Sequence, residues 1–215
     1  MNTLSEGVDE KDLRHLQYPP GTLRVVQVTD THLYARPESC LLGVNTLDSF
    51  GAVIDAIRRT GWPTDLVLAT GDLVHDATPQ GYRQLADLLQ RFACPVLCLP
   101  GNHDHPQVMR AHLPSGRVAT PRVADIGAWR FLLLDSVVPG QVGGRLDDAE
   151  LQHLHAMLAD NSRPTLIALH HQPVDVGSDW IDTIGLTNAD ALLEAIAAAP
   201  QVRGVLWGHV HQVYD

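Results

Sequence analysis

At 215 residues, with 45% hydrophobic content and no Pro/Gly/Ser-rich divider, the chain is long enough to bury one sizeable core and reads as one domain. A formal net charge of −10 without a basic patch speaks against a broad nucleic-acid surface, though not against a small anionic substrate. No apolar run approaches the length of a membrane span.

Residues 1–20 mix acids, bases and histidine and lack an apolar segment of signal-peptide length, so the expectation is an N-terminal arm ahead of a domain over 21–215, in the cytoplasm. The first strand-like run, Arg24 to Thr29, ends in Asp30-Thr31-His32. Apolar residues at three- and four-residue spacing then predict a helix over Thr46 to Arg59. Leu66 to Thr70 is a second strand-like run, ending in Gly71-Asp72, and Pro79 to Phe92 is helical. A third run, Val96 to Leu99, leads into Gly101-Asn102-His103-Asp104. The run Trp129 to Leu134 precedes Asp135, read as a structural turn residue. Asp147 to Leu158 is helical with Asp147 as N-cap; Thr165 to Leu169 follows and ends in His170-His171. A long loop, Gln172 to Thr187, leads to a helix over Asn188 to Ala198, capped by Asn188. The last run, Val202 to Trp207, ends in Gly208-His209-Val210-His211. Strands alternating with helices of this length predict crossover connections and a mainly parallel sheet.

Five clusters of metal-binding residues, each just beyond a strand-like run, converge on the rim where parallel sheets bind ligands. Residues two apart in an extended chain point to one side, so Asp30 and His32 can share an ion, and His209 and His211 have the same spacing. A carboxylate between two ions can bridge them, and the isolated Asp72 is the candidate. Ion one is assigned to Asp30, His32, Asp72 and His211, and ion two to Asp72, Asn102, one histidine of the 170/171 pair, and His209. Strand phase does not choose between His170 and His171. Oxygen and imidazole donors without thiolate suit manganese, iron, zinc, nickel or cobalt. Two divalent ions outweigh two carboxylates and a bridging hydroxide, which leaves a cationic cleft that attracts a phosphodiester. The ions bring the pKa of water down toward about 7, so hydroxide is at hand and no protein nucleophile is needed.

The series DTH, GD, GNHD, HH-x-P and GHVH, in this order, resembles the calcineurin-like metallophosphoesterases. The stretches VTDTHLYARPESCLLGVNT, ATGDLVHD, CLPGNHD, LLLDS and GHVHQ are similar to that family's bacterial class III cyclic nucleotide phosphodiesterases, from about Arg24 to the end. The resemblance implies an α/β fold, a two-layer β-sandwich flanked by helices in the order αββα. It implies a dinuclear centre, manganese and iron first among the metals, and hydrolysis of 3′,5′-cyclic AMP to 5′-AMP. It also implies His170 as the ligand of the HH pair, and His103 as the acid that protonates the leaving oxygen, oriented by Asp104. Members of the family continue for several strands past the GH-x-H element, so the C-terminal part of that fold is expected to be missing after Asp215. A homodimer is the assembly the resemblance admits, with a small cyclic nucleotide as partner and neither nucleic acid nor membrane. A broader phosphodiesterase or phosphomonoesterase, and a non-catalytic scaffold of the same fold, stand as alternatives.

Asn102, His103 and Trp180 are the expected substrate contacts, Trp180 as a surface for stacking on a base. Tyr34 and Arg36, just after the first ligand pair, are secondary candidates for substrate contact, and His75 and His105 are neighbours of the rim rather than ligands. Cys94 and Cys98 would lie roughly 13 Å apart along a strand, too far for a disulfide, so Cys40, Cys94 and Cys98 are read as free thiols in a reducing compartment.

Overall fold

The computed structural model describes residues 21–160 and 162–212; the expected arm lies outside them. Two four-stranded sheets form the centre. The first holds β1 (Val25–Val28), β4 (Leu66–Thr70), β5 (Val96–Leu99) and β6 (Val118–Ala119) in the order β1-β4-β5-β6, all parallel. The second holds β7 (Val123–Ile126), β8 (Trp129–Leu133), β9 (Thr165–Ala168) and β10 (Val202–Leu206) in the order β10-β9-β8-β7. Strands β8, β9 and β10 are parallel there, and β7 pairs antiparallel with β8. A two-residue hairpin, β2 (Cys40–Leu41) and β3 (Val44–Asn45), stands apart.

Side-chain alternation along the strands builds three apolar layers. Leu66 and Leu68 of β4 and Leu97 and Leu99 of β5 face Phe131, Leu133 and Ala168 of the second sheet, which closes the sandwich. Their neighbours Val67, Ala69, Val96 and Cys98 turn the other way, onto Ile54, Tyr82, Leu85 and Met109. Those residues belong to α1 (Thr46–Thr60), α2 (Pro79–Leu89) and α3 (Pro106–His112). On the far side, Leu132 and Ile167 pack against Leu154 and Leu158 of α4 (Asp148–Ala159) and Leu192 of α5 (Ala189–Ala197). Each fully buried leucine contributes roughly 1.5–3 kcal/mol over an exposed one. The layer order is helix, sheet, sheet, helix.

Alternation alone reads as a mainly parallel sheet; the structure has two sheets, the helix-flanked sandwich that the resemblance implies. The strands are apolar on both faces, so the pattern does not say whether a helix or a second sheet covers each face.

Local chemistry sets the helix starts. The Asn45 side chain accepts from Asp48 N and caps α1, Thr78 accepts from Gly81 N ahead of Pro79, and Asp147 accepts from Glu150 N. Asn188 differs from the expectation: its side chain makes no cap hydrogen bond on α5. Its amide instead accepts from Leu146 N and donates to Leu146 O, tying the chain across 42 residues. Cys40, Cys94 and Cys98 are free thiols, the last two buried. Among the described residues, no helix is long and apolar enough to cross a membrane.

Candidate metal centre

The carboxyl ends of β1, β4, β5, β9 and β10 bring the five clusters to one place. Backbone hydrogen bonds carry the pairing past the strands: Asp30 N to Gly71 O, His32 N to Asp72 O and Leu33 N to Leu73 O on one side, Gly208 N to His170 O on the other. Gln27 joins the two sheets at this edge, donating to both Thr70 Oγ1 and Trp207 O. Close packing here needs two residues without side chains. A Cβ on Gly101 would lie 2.3 Å from Asp72 N and Oδ1, and one on Gly208 would lie 2.1 Å from Thr29 Oγ1.

Two groups of donor atoms face each other across Asp72. In the first, His32 Nε2 lies 3.3 Å from His211 Nε2 and 3.8 Å from Asp72 Oδ2, and His211 Nε2 lies 3.0 Å from Asp30 Oδ1. In the second, His170 Nε2 lies 3.2 Å from Asn102 Oδ1 and 3.4 Å from Asp72 Oδ1, and the His209 ring centroid is 5.0 Å from that of His170. Asp72 thus turns one oxygen to each group. The potential ligand atoms of Asp30, His32 and His211 lie within 4.8 Å of one another, as do those of Asp30, Asp72 and His170.

Whether such a pocket fits a cation can be judged from its unpaired groups. Among the described residues, the buried Nε2 of His209 has no hydrogen-bond partner, an orphan that a cation would satisfy. His170 Nδ1 donates to Thr70 O at 2.9 Å, and its Nε2 faces two acceptor oxygens. Positive charge must lie between them: burial opposes it on the ring, yet the Asp72 hydrogen bond and charge raise His170 to about 9, so Nε2 carries a proton that a bound cation would displace. Burial pushes His32 down to about 4, against the charges of Asp72 and Asp30. Burial, and next the neighbouring His170, push His209 down to about 4 as well. Both are neutral imidazoles at pH 7, the form that ligates metals. Burial works against ionisation of Asp72, yet the His170 hydrogen bond and charge, the His103 N–H and His32 hold its carboxyl well below the ordinary range. The donor set fits divalent ions that take oxygen and imidazole.

The structure separates the adjacent histidines. His171 Nε2 donates to Val142 O at 3.0 Å and its Nδ1 accepts from Ser136 Oγ at 2.8 Å, so both ring nitrogens are engaged away from Asp72. His170 is the one whose Nε2 points at Asp72 and Asn102.

Two expectations change. Asp30, His32, Asp72, His209 and His211 all have positive φ, between 45° and 68°, so the two-apart pairs are not on extended backbone. Left-handed turns place them, and they send His211 to Asp30 but His209 to His170. Asp104 does not orient His103. Its buried carboxylate accepts from Gly101 N, Leu73 N, Val74 N and the Tyr82 hydroxyl, stapling the Asp72 loop to the Asn102 loop, with no bond to the His103 ring. His103 instead donates its backbone N–H to Asp72 Oδ1 at 2.8 Å and lays its ring on His75. Trp180 stands on the surface, 69% exposed. Asp135 is a turn residue as read, accepting from Val137 N and paired with Arg110 at 3.5 Å.

The sequence places His75 near the rim but does not show what it touches. It follows Asp72 by three residues but ends no strand, and only the fold shows that His32, His75 and His103 have ligand-type atoms within 4.8 Å.

The sequence profile of the Calcineurin-like phosphoesterase family matches residues 23–213. The chain is 38% identical over 205 residues to the 3′,5′-cyclic adenosine monophosphate phosphodiesterase CpdA of Pseudomonas aeruginosa, covering 94% of this chain and 75% of that one. It is 41% identical over 195 residues to the protein of the same name from Escherichia coli (strain K12), covering 90% and 71%. Among solved structures, purple acid phosphatase PPD1 from yellow lupin seeds superposes with a TM-score of 0.61 at 16% identity, over 90% of this chain and 39% of that one. That likeness speaks for the fold alone.

Proposed function

Because the chain belongs to the calcineurin-like phosphoesterase family, an enzyme family that uses divalent metal ions, we propose that it hydrolyses 3′,5′-cyclic AMP to 5′-AMP at a dinuclear centre. The observation that carries this reading is the Asp72 carboxylate, with Oδ2 toward His32 and Oδ1 toward His170. Asp30, His32, Asp72 and His211 would hold one ion; Asp72, Asn102, His170 and His209 would hold the other. Manganese and iron fit this donor set, as do zinc, nickel and cobalt. When bound, the ions polarise phosphoryl oxygens and make hydroxide available near neutral pH.

The chain's own residues do the rest. His32 and His209 are kept neutral by burial and so offer lone pairs without first losing a proton. Gly101 lets the Asn102 loop approach Asp72 closely enough for Asn102 and His103 to face the same substrate. His103, whose ring is unbonded beside the donor groups, is the acid that returns a proton to the departing 3′ oxygen. Asp104 keeps that loop in place through its three backbone N–H bonds. Trp180, with its exposed ring, offers a stacking surface for the adenine.

The test is a panel of cyclic nucleotides and simple phosphoesters assayed with added Mn²⁺, beside Asp72→Ala. Conversion of cyclic AMP to 5′-AMP by wild type, and its loss in the variant, is the expected result. Turnover of aryl monoesters with cyclic AMP untouched would overturn the substrate, and an active Asp72→Ala variant would overturn the centre.

A further inference from the structure

We propose that His75 is a positioning residue that holds two members of the site at once: it receives the second ring nitrogen of His32, and its ring is the platform on which His103 lies. Nδ1 of His75 is 3.2 Å from Nδ1 of His32. The His75 and His103 rings stack at a centroid distance of 4.5 Å and an interplanar angle of 22°. His32 stands edge-on to both, at 5.3 Å and 4.9 Å. Tyr34 packs beside His75 at 4.8 Å and completes the group.

The assignment follows from donor and acceptor balance. His32 Nε2 faces Asp72 Oδ2 and His211 Nε2, so for that nitrogen to offer its lone pair, the ring hydrogen sits on Nδ1. The group within reach of that hydrogen is His75 Nδ1, which accepts it when His75 carries its own hydrogen on Nε2. One tautomer of His75 therefore fixes both the tautomer and the ring angle of His32. The backbone under His75 is firm enough for this: its N–H donates to Leu33 O at 2.7 Å, and Leu33 bridges to Val74 in parallel register. The stacked face does separate work. Among the described residues, the His103 side chain has no hydrogen-bond partner, and its ring is held by contact with His75 and His32.

The His32 half rests on metal binding alone, whereas the His103 half rests on the phosphodiester reading, so the experiment keeps them apart. Metal-stripped wild type, His75→Ala and His75→Phe are compared by equilibrium dialysis with Mn²⁺, with thermal unfolding as a check on folding. Phenylalanine keeps a flat ring but offers no acceptor. Both variants are expected to bind one Mn²⁺ about tenfold more weakly than wild type, the low end of the loss usual when a ligand histidine loses its partner. At saturating Mn²⁺, turnover is then measured on cyclic AMP, whose alkoxide leaving group needs a proton, and on bis(p-nitrophenyl) phosphate, whose leaving group does not. His75→Ala is expected to lose about tenfold more on cyclic AMP than on the aryl ester, and His75→Phe to restore that ratio. Unchanged Mn²⁺ binding in both variants overturns the His32 half, and equal losses on the two esters overturn the His103 half. If wild type cleaves neither ester, the functional reading fails while the dialysis still decides the role toward His32.

Discussion

Replacing Gly101 by alanine probes how tightly the two loops of the site must meet. The backbone at Gly101 is not left-handed, so the substitution acts through space rather than through conformational freedom. The added methyl would sit 2.3 Å from Asp72 N and Oδ1, atoms that must retreat beyond 3.0 Å, so Asp72 or the loop moves by at least 0.7 Å. Overpacking of this kind costs about 1–3 kcal/mol of stability. A displacement approaching 1 Å at a residue that serves both donor groups is enough for about a hundredfold loss of rate. Urea unfolding gives the first quantity, and turnover of bis(p-nitrophenyl) phosphate with excess Mn²⁺ gives the second. Gly51, inside α1 and with only Arg91 Nη1 of the described residues within 4 Å of an added Cβ, is the control, and its replacement by alanine should raise stability by about 0.5–1 kcal/mol. A Gly101→Ala protein within about twofold of wild-type activity and unchanged in stability would refute the close-approach reasoning.

Asp104→Asn sets an NH₂ group against two of the four donors now facing the carboxylate, and it should lower stability by about 2 kcal/mol. Burial pushes the Asp104 carboxyl up to about 6, so the native state favours its protonated form; the wild type's margin over the variant should narrow as pH rises from about 4 through about 6, and a margin flat in pH would count against this. If Asp104 oriented His103, the same variant would instead keep its stability and lose activity mainly on alkyl esters. His170→Ala should abolish binding of one Mn²⁺ in dialysis, whereas His171→Ala, which removes bonds to Ser136 and Val142, should still bind two. The reverse outcome would mean that the wrong histidine has been assigned. Adding Mn²⁺ at a hundredfold excess over its dissociation constant should raise the unfolding free energy by about 2.7 kcal/mol per site, measured as a shift in thermal midpoint, and His209→Ala should lose part of that gain.

The positions of the five clusters could be read in the sequence because each follows an apolar run whose end in space is fixed by the sheet. Val25 to Val28 and Val202 to Leu206 are strands, and what comes after a parallel strand must emerge at the same rim. Extended-strand spacing is nonetheless not what brings Asp30 and His32 together, because those residues sit in left-handed turns beyond the strand. Spacing also left His170 and His171 undivided, since the difference comes from Ser136 and Val142, more than twenty residues away in the chain. Asp104 looked like a partner for its neighbour His103, yet burial directs its oxygens to backbone donors from residues 73, 74 and 101. Long-range placement of this sort leaves no periodicity behind. The contacts of His75 with His32 and His103 leave no trace in the spacing for the same reason.

The five left-handed residues have a consequence for how this chain could change over time. An L-residue with a side chain beyond Cα is held in that conformation at roughly 1 kcal/mol or more, and here the group comprises Asp30, His32, Asp72, His209 and His211. Glycine at any of them would relax the backbone, so drift toward a sturdier but inert protein runs downhill. A descendant freed from catalysis should shed these side chains early, and a chain that still carries all five resists that slope at every position.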